Sequence, residues 1–436
     1  MLLLYKAYVK QIYNYTIKSN CILDKSVIKN VVSLIGVQGA NYIVPLITLP
    51  YLVRVLGPVG YGGLNFSLAF VQYFILLADY GFNLSVTKQI SVIRDDKEKT
   101  SELFWIVMFC KLALLILGFA ILVTLICLFP KIGEFSTILI CAYTIVIGNV
   151  LFPVWLFQGM EKMGMIAIAN ITAKLMAVPL IFTFVRASSD AWLAGLITGV
   201  TTVVAGTIGL IAVRKFNWIN WHKPTWTGVK RELSLGWHVF LSTAAISLYT
   251  VSITVILGVI AGPVAVGYYT AADKIRQAVQ GFIAPVSQAI YPRINALMAK
   301  DKLMAFSTIR KLLLIQGCGT FILSLLLFIF AEPIILLAYN STYINSVTVL
   351  KWLAWLPFVI GLSNVFGVQT LLVLGLNKIF SRILIVSGIF SLSLIFPLGS
   401  LWAQDGAAIT TFITELTVTC LMLLIIIKRK IPIFRK

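Results

Sequence analysis

Apolar runs of about 20 residues, separated by short connectors, follow one another along almost all of this 436-residue chain. An α-helix needs roughly 20 such residues to cross the hydrocarbon core of a bilayer. By that measure the sequence predicts twelve membrane spans, at about 28–53, 62–84, 103–129, 135–157, 165–185, 191–213, 236–260, 274–297, 312–331, 347–373, 379–401 and 406–427. Hydrophobic residues make up 60% of the chain and charged residues 11%, against about 45–50% and about 25% in soluble domains. These figures exclude a soluble, disordered or fibrous protein and favour an all-α polytopic membrane protein.

Basic residues fall almost entirely on one side of the predicted membrane. Of the 35 Lys and Arg residues, 26 lie in the termini and alternate connectors, three in the opposite connectors and six inside spans. Cytoplasmic connectors carry the excess of Lys and Arg, so both termini are predicted to be cytoplasmic. The three residues on the other side are Arg54, Lys131 and Arg186. This distribution accounts for the net charge of +20 without a nucleic-acid partner.

The sequence contains two weak internal repeats in the same order, which predicts two similar halves. Residues 56–62 (LGPVGYG) return some 205 residues later as 261–269 (AGPVAVGYY), and residues 157–162 (FQGMEK) return as 373–378 (VLGLNK). The predicted division is a cytoplasmic amphipathic arm at 1–27, a six-helix bundle at 28–213, a basic cytoplasmic linker at 214–235, a second six-helix bundle at 236–427 and a basic cytoplasmic tail at 428–436. Repeated halves are typical of transporters, whose substrate sites lie near the repeat interface.

Charged residues at membrane depth identify candidate functional positions, because each is costly unless it faces water, a partner or a ligand. Nine stand out, seven basic and two acidic: Arg54, Asp79, Lys111, Lys174, Asp273, Lys274, Arg276, Arg293 and Lys351. Among these nine the basic excess predicts a central cationic cavity for an anionic substrate, with phosphate the natural partner of guanidinium and ammonium groups.

Predicted span 8 carries a polar stripe. Its members recur at steps of three and four, which would place them on one face of a single helix: Asp273, Gln277, Gln280, Ala284, Gln288, Tyr291 and Asn295. A helix facing lipid could not tolerate such a face, whereas a helix lining a cavity could.

Most of the charged residues also have a purely structural explanation. Snorkelling, helix capping, pairing or interfacial anchoring would account for Lys111, Arg293, Lys351, Asp79, Asp273 and Arg54. Lys174 lies in the middle of a span with no charge nearby in sequence, so a cavity role explains it better.

The sequence offers no motif for catalysis. It has no Gly-x-x-x-x-Gly-Lys-Ser/Thr loop, and its two histidines, His222 and His238, form no metal-ligand or triad pattern. The six cysteines show no Cys-x-x-Cys spacing. Neither an enzyme nor a metal site is predicted.

Several stretches resemble signatures of bacterial O-antigen flippases of the Wzx type, in the polysaccharide transporter branch of the multidrug/oligosaccharidyl-lipid/polysaccharide exporter superfamily. They are residues 49–62 (LPYLVRVLGPVGYG), 79–97 (DYGFNLSVTKQISVIRDDK), 155–162 (WLFQGMEK) and 268–295. The resemblance covers about residues 28–427. It implies two six-helix bundles around a central cationic cavity.

The resemblance also implies a function. An undecaprenyl-pyrophosphate-linked O-antigen oligosaccharide would move from the cytoplasmic to the periplasmic leaflet of the bacterial inner membrane by alternating access. The candidate substrate-binding residues are Arg54, Lys111, Lys174 and Arg276 for the pyrophosphate, and Gln277, Gln280, Gln288 and Tyr291 for the sugars. No cofactor is expected, and coupling to a proton or sodium gradient is left open, with Asp79 and Asp273 as candidate ion-binding residues. Expected partners are inner-membrane lipids and the polymerase and chain-length regulator of the same pathway.

Two alternatives stand beside this interpretation. A multidrug antiporter of the same superfamily would export soluble, often cationic drugs, and its cavity should favour acidic or aromatic residues. A membrane polymerase or acyltransferase of the same pathway should carry a long periplasmic loop or a histidine beside a polar site, and the sequence shows neither.

Overall fold

The computed structural model describes residues 25–281 and 283–434, with side chains from Ile47 onward apart from a few positions, Gln288 among them. Within those residues every regular element is helical. The α-helices are α1 (Lys25–Asp79), α2 (Phe82–Ile93), α3 (Lys97–Leu128), α4 (Pro130–Gly133), α5 (Ser136–Leu151), α6 (Val154–Gly159), α7 (Met163–Phe184), α8 (Ala191–Lys215), α9 (Trp226–Gly281), α10 (Ala284–Lys300), α11 (Lys302–Ile329), α12 (Ala331–Tyr339), α13 (Ser346–Leu353), α14 (Leu356–Phe366) and α15 (Asn377–Lys428). Short 3-10 helices cover Ser188–Asp190 and Ser341–Tyr343, and a π-helix covers Gly367–Leu372.

Nine stretches of this described part are long and apolar enough to cross a membrane. The all-α polytopic membrane fold is therefore confirmed. The count of twelve spans and the domain boundaries stay predictions.

Three long helices break internally at a single residue. The breaks lie at Gly57 in α1, Gly262 in α9 and Ala403 in α15. Gly57 (φ 63°) and Gly262 (φ 80°) adopt backbone angles that glycine tolerates and other residues rarely adopt. The sequence predicted connectors at 54–61 and 261–273, which is wrong in detail. The helix resumes immediately at each break because Pro58 and Pro263 suit the first position of a helix.

The polar stripe of predicted span 8 does not lie on one helix. Helix α9 ends at Gly281 and α10 begins at Ala284, so the three- and four-residue steps lose their register between Gln280 and Gln288. Pro285 at the start of α10 cannot donate a helical hydrogen bond. Asp273, Gln277 and Gln280 therefore form one set on α9, and the later positions belong to α10.

The second repeat forms the same turn in both halves, two residues out of the predicted register. The amide of Lys162 donates to the carbonyl of Phe157, and that of Leu376 donates to Leu371. Such a turn places the preceding residue at positive φ, and here that residue is Glu161 (φ 56°) or Gly375 (φ 74°). The sequence pairs Gly159 with Gly375, whereas the backbone pairs Glu161 with Gly375.

The buried apolar residues of the described chain fall into three clusters. One contains residues of both repeats, such as Tyr61 and Phe66 from α1 with Val266 from α9 and Tyr339 from α12. The second lies between residues 82 and 229, and the third between residues 290 and 433. The two halves thus share a core around the Gly57 and Gly262 breaks and have separate cores elsewhere.

Contacts between chain-distant residues agree with the predicted alternation of faces. The outer end is defined here by Arg54, Lys131 and Arg186, and residues predicted to lie there contact each other: Tyr51 donates to Val185, and Gly60 packs on Ser188. The inner end is the opposite end, where Arg94 pairs with Glu161 at 2.8 Å and Lys97 donates to Asn217. Which end faces the cytoplasm stays a prediction from the charge distribution.

Candidate functional site

The two Gly-Pro breaks meet each other at the outer end in a reciprocal contact. A Cβ added to Gly62 would overlap the carbonyl oxygen of Pro263, and one added to Gly267 would overlap that of Pro58. Pro58 and Pro263 are separated by the same number of positions as Gly62 and Gly267. The two contacts are therefore equivalent: each half places its glycine against the proline of the other half, as a pseudo-twofold axis between the repeats requires. Only glycine allows the helices to approach this closely.

Two basic residues of the first half reach across to the second half beside this contact. Arg54 Nη2 donates to the carbonyl of Leu337 at 2.6 Å and its Nε to that of Ala338 at 3.1 Å. Lys131 Nζ donates to the carbonyl of Val259 at 3.0 Å. These carbonyls lie in the last turn of α12 and in the last turn of α9 before its break, where helices have unsatisfied acceptors and negative dipole ends. We refer to Arg54 and Lys131 as the outer latch.

Arg186, the third basic residue of the outer end, does not cross between halves. Its Nε donates to the carbonyl of Thr183 at 2.9 Å, within the same half. Of the three basic residues that the sequence assigns to the outer end, Arg54 and Lys131 therefore contact the other half, and Arg186 contacts its own half.

Lys111 and Asp79 form an ion pair inside the first half. Lys111 Nζ lies 2.8 Å from Asp79 Oδ1, and its side chain is 1% exposed against 25% for Asp79. The ammonium also donates to the carbonyl of Asn149 at 3.3 Å, and Asn83 Nδ2 donates to Asp79 Oδ2 at 3.0 Å. Lys111 thus joins α1, α3 and α5, and it neutralises the carboxylate rather than snorkelling to the interface.

The second half contains a neutral counterpart of this pair. Gln316 is buried on α11, at the position that the repeat offset between Gly62 and Gly267 assigns to Lys111. Ser287 Oγ donates to Gln316 Oε1 at 3.3 Å, and Gln316 Nε2 donates to the carbonyl of Gly361 at 3.2 Å. A buried side chain at the same repeat position therefore bridges three helices in each half. The first half makes this bridge with charged groups, although the neutral bridge of the second half connects three helices equally well.

A second charged network lies on α9. Arg276 contacts Asp273 Oδ1 through Nη2 at 2.7 Å and Nε at 2.8 Å, and its Nη1 donates to Gln280 Oε1 at 2.6 Å. Gln277 Nε2 donates to the other Asp273 oxygen at 2.6 Å. Asp273 also interacts electrostatically with Tyr61 of the first half. Four predicted site residues are thus brought together close to the junction of the halves.

Sequence reasoning missed Glu415, which interacts electrostatically with Arg276. It lies on α15 within predicted span 12 and belongs in the set of charges at membrane depth. Its signal is a lone carboxylate in an apolar run, the same signal that identified Lys174. With Glu415 added, the charges at membrane depth are seven basic and three acidic, so the cationic excess is smaller than predicted.

The remaining predicted site residues are Lys174, Tyr291 and Gln288. Lys174 is half-buried on α7, and Tyr291 is half-buried on α10. The Gln288 side chain lies outside the described residues. Substrate binding by any of the predicted residues stays a prediction, as does a central cationic cavity. Within residues 25–281 and 283–434, no group of three or more His, Cys, Asp or Glu side chains could hold a metal ion.

Curated relatives match nearly the full chain. A protein of Escherichia coli (strain K12) named "Putative O-antigen transporter" is 41% identical over 403 residues, which cover 92% of this chain and 97% of the relative. A protein of Shigella dysenteriae with the same name is 31% identical over 399 residues, covering 91% and 98% of the two chains.

A solved structure shows the same fold. The inward-facing conformation of a multidrug resistance MATE family transporter of the MOP superfamily superposes with a TM-score of 0.69 at 16% identity, covering 88% of this chain and 94% of that one.

The family model described as "Polysaccharide biosynthesis protein" matches residues 27–298. This chain therefore belongs to the polysaccharide biosynthesis protein family.

Proposed function

We propose that this protein exports a lipid-linked O-antigen oligosaccharide, moving it from the cytoplasmic to the periplasmic leaflet of the bacterial inner membrane. The observation that carries the proposal is the 41% identity to a relative named as an O-antigen transporter, across 97% of that relative. Identity along the whole length means that both halves and their junction correspond. The function is therefore that of a transporter and not of an enzyme of the same pathway.

Alternating access is the mechanism that the packing supports best. The two halves share a core and two reciprocal glycine contacts at the outer end, and have separate cores elsewhere. A packed contact of this kind opens as a unit when the halves rotate about their axis. Under this proposal, the contact at the outer end closes that end in one state of the cycle, and substrate enters that state from the opposite side.

The charged networks suggest how a pyrophosphate is bound and released. Arg276 and Lys111 already hold Asp273 and Asp79, so a phosphate group has to replace a carboxylate to contact either cation. Protonation of a carboxylate would weaken its hold on the cation and favour the exchange. This gives Asp79 and Asp273 a role in coupling export to a proton gradient. Sodium binding to the same carboxylates would act in the same way.

Multidrug export is the alternative function, because transporters of that kind have the same fold, as in the solved structure with a TM-score of 0.69. Glu415 adds a carboxylate that interacts electrostatically with Arg276, and acidic groups suit cationic drugs. The whole-length relatives nevertheless carry the name of O-antigen transporters. The likeness to the multidrug transporter, at 16% identity, concerns the fold alone.

Deletion of the gene in its own host tests the proposal. We expect loss of the surface polysaccharide and accumulation of its lipid-linked unit, both reversed by a plasmid copy. Unchanged surface polysaccharide together with increased sensitivity to cationic drugs would contradict the proposal and favour the multidrug alternative.

A further inference from the structure

A cavity of about 780 Å³ lies at the inner end of the first half. Three elements form its walls: one face of α2, the first turns of α3 and the first turns of α9. The walls are fixed to each other, because Gln89 Nε2 on α2 donates to Glu232 Oε2 on α9 at 2.7 Å. The cavity is therefore a built part of the fold, located where the linker enters the second half.

The lining of this cavity is amphipathic. Its apolar residues are Val92, Ile93, Leu103 and Leu235, and Val92 is 80% exposed. Three cations, Lys88, Lys99 and Arg231, face one lining carboxylate, Glu102. Arg231 and Lys99 are held in place by ion pairs to Glu232 and Asp96, whereas the exposed Lys88 has none within the described contacts. The cavity thus combines an apolar surface with three cations at its edge, two of which are ion-paired.

Neighbouring residues place the cavity at the level of the membrane surface. Trp221 is 73% exposed and Trp226 is 66% exposed, although both are large and apolar. Lys230 Nζ lies 5.8 Å from the ring centre of Trp226. Exposed tryptophans beside lysines are typical of residues that lie among lipid headgroups.

We infer that this cavity binds an anionic phospholipid of the cytoplasmic leaflet. An acyl chain would cover the exposed apolar side chains that line the cavity, and the phosphate would lie against Lys88, Lys99 and Arg231. Basic pockets between helices on the cytoplasmic side bind lipid headgroups in this way. Since the cavity joins the first half to the start of α9, a bound lipid fixes the linker relative to α2 and α3.

The test measures binding of a short-chain phosphatidylglycerol to the purified full-length protein in a neutral detergent. Lys88→Glu reverses the one edge cation that has no partner within the described contacts, and Lys162→Glu is its matched control. Lys162 is also exposed at the predicted inner end but does not line the cavity. We expect Lys88→Glu to weaken binding about 30-fold, since each cation near an anionic lipid contributes about 1 kcal/mol and the reversal replaces that attraction by a repulsion of similar size. Lys162→Glu should leave binding unchanged.

Three competitors identify the occupant. Phosphatidylcholine and free glycerol phosphate should fail to displace the phosphatidylglycerol, because one lacks net charge and the other lacks acyl chains. Equal binding of phosphatidylcholine, or equal effects of the two variants, would overturn the inference. Displacement by undecaprenyl phosphate at equal concentration would also overturn it and assign the cavity to the transported lipid. Because the readout is binding and not export, it is independent of the proposed function.

Discussion

Removal of the Arg54 side chain should open the outer end of the protein. Arg54 makes two hydrogen bonds to backbone carbonyls of the other half, at 2.6 and 3.1 Å. A hydrogen bond from a charged group contributes about 1.5–3 kcal/mol when protected from water. Because Arg54 is exposed, we take about 1–2 kcal/mol for both bonds together, which corresponds to a change of about 5- to 30-fold in the ratio of closed to open molecules. Lys131→Ala removes one bond and should have a smaller effect in the same direction.

The assay is a distance measurement across the outer end. Spin labels at Ser188→Cys in the first half and Thr342→Cys in the second, in a background without native cysteines, report the separation of two exposed positions. Arg54→Ala should increase the population with the longer distance several-fold.

Arg186→Ala is the matched control, because it removes the same charge from the same end while its hydrogen bond stays within the first half. Identical distance distributions for Arg54→Ala and Arg186→Ala would refute the role of the outer latch in holding the two halves together. The hydrogen bonds to Leu337 and Ala338 would then have no effect on opening.

Three further predictions concern the contact, the ion pair and one helix cap. Gly62→Ala should shift the distance between the two spin labels further than Arg54→Ala does, since the new Cβ overlaps the Pro263 carbonyl. The control is Gly164→Ala, whose Cβ meets nothing within 4 Å and which should leave the label distance unchanged. Lys111→Gln should lower the free energy of unfolding, measured by chemical denaturation, by about 2 kcal/mol. This is less than the roughly 3–5 kcal/mol for a fully buried pair because Asp79 is 25% exposed. The double variant Lys111→Gln with Asp79→Ser imitates the neutral pair of the second half and should recover stability but not export, and recovered export would show that the charges serve structure alone. Asp96 caps α3 by accepting from the amide of Lys99, and its hydrogen bonds to Lys99 hold its pKa below the ordinary 3.8. The cap is complete at neutral pH and is lost as the pH falls through that lowered pKa. Acid should therefore lower the protection of amides at the start of α3 against hydrogen exchange, measured relative to the intrinsic exchange rate at each pH. An equal loss of protection in Asp96→Asn would contradict this.

Sequence reasoning located the repeats but not their contact. The Gly-Pro motifs are visible at Gly57 and Gly262, and their glycine content predicts an unusual backbone. That Gly62 packs on Pro263 depends on how two segments far apart in the chain come together, which no local pattern encodes. The predicted connectors were wrong for a related reason, because a glycine followed by proline can end one helix and begin the next without a loop.

Partners of the charged residues were equally beyond local sequence. Lys111 and Asp79 lie on different helices and meet only through the packing of α1 against α3. Arg54 binds backbone carbonyls, which every residue possesses, so no sequence signal could identify its acceptors. The Asp273, Arg276 and Gln280 network, by contrast, follows from helical spacing and was predictable as a set. Glu415 was missed although its signal was present.

Flipping by the purified protein in liposomes tests the central claim most directly. An undecaprenyl-pyrophosphate-linked oligosaccharide carrying a fluorescent label would be placed in both leaflets, and its exposure to an external quencher followed with and without a proton or sodium gradient. We predict that label in the inner leaflet becomes accessible only when the protein is present, and that Gly62→Ala, which disturbs the outer contact, changes the rate. No movement of the lipid-linked oligosaccharide under any gradient, with export of soluble cations by the same liposomes, would contradict the account.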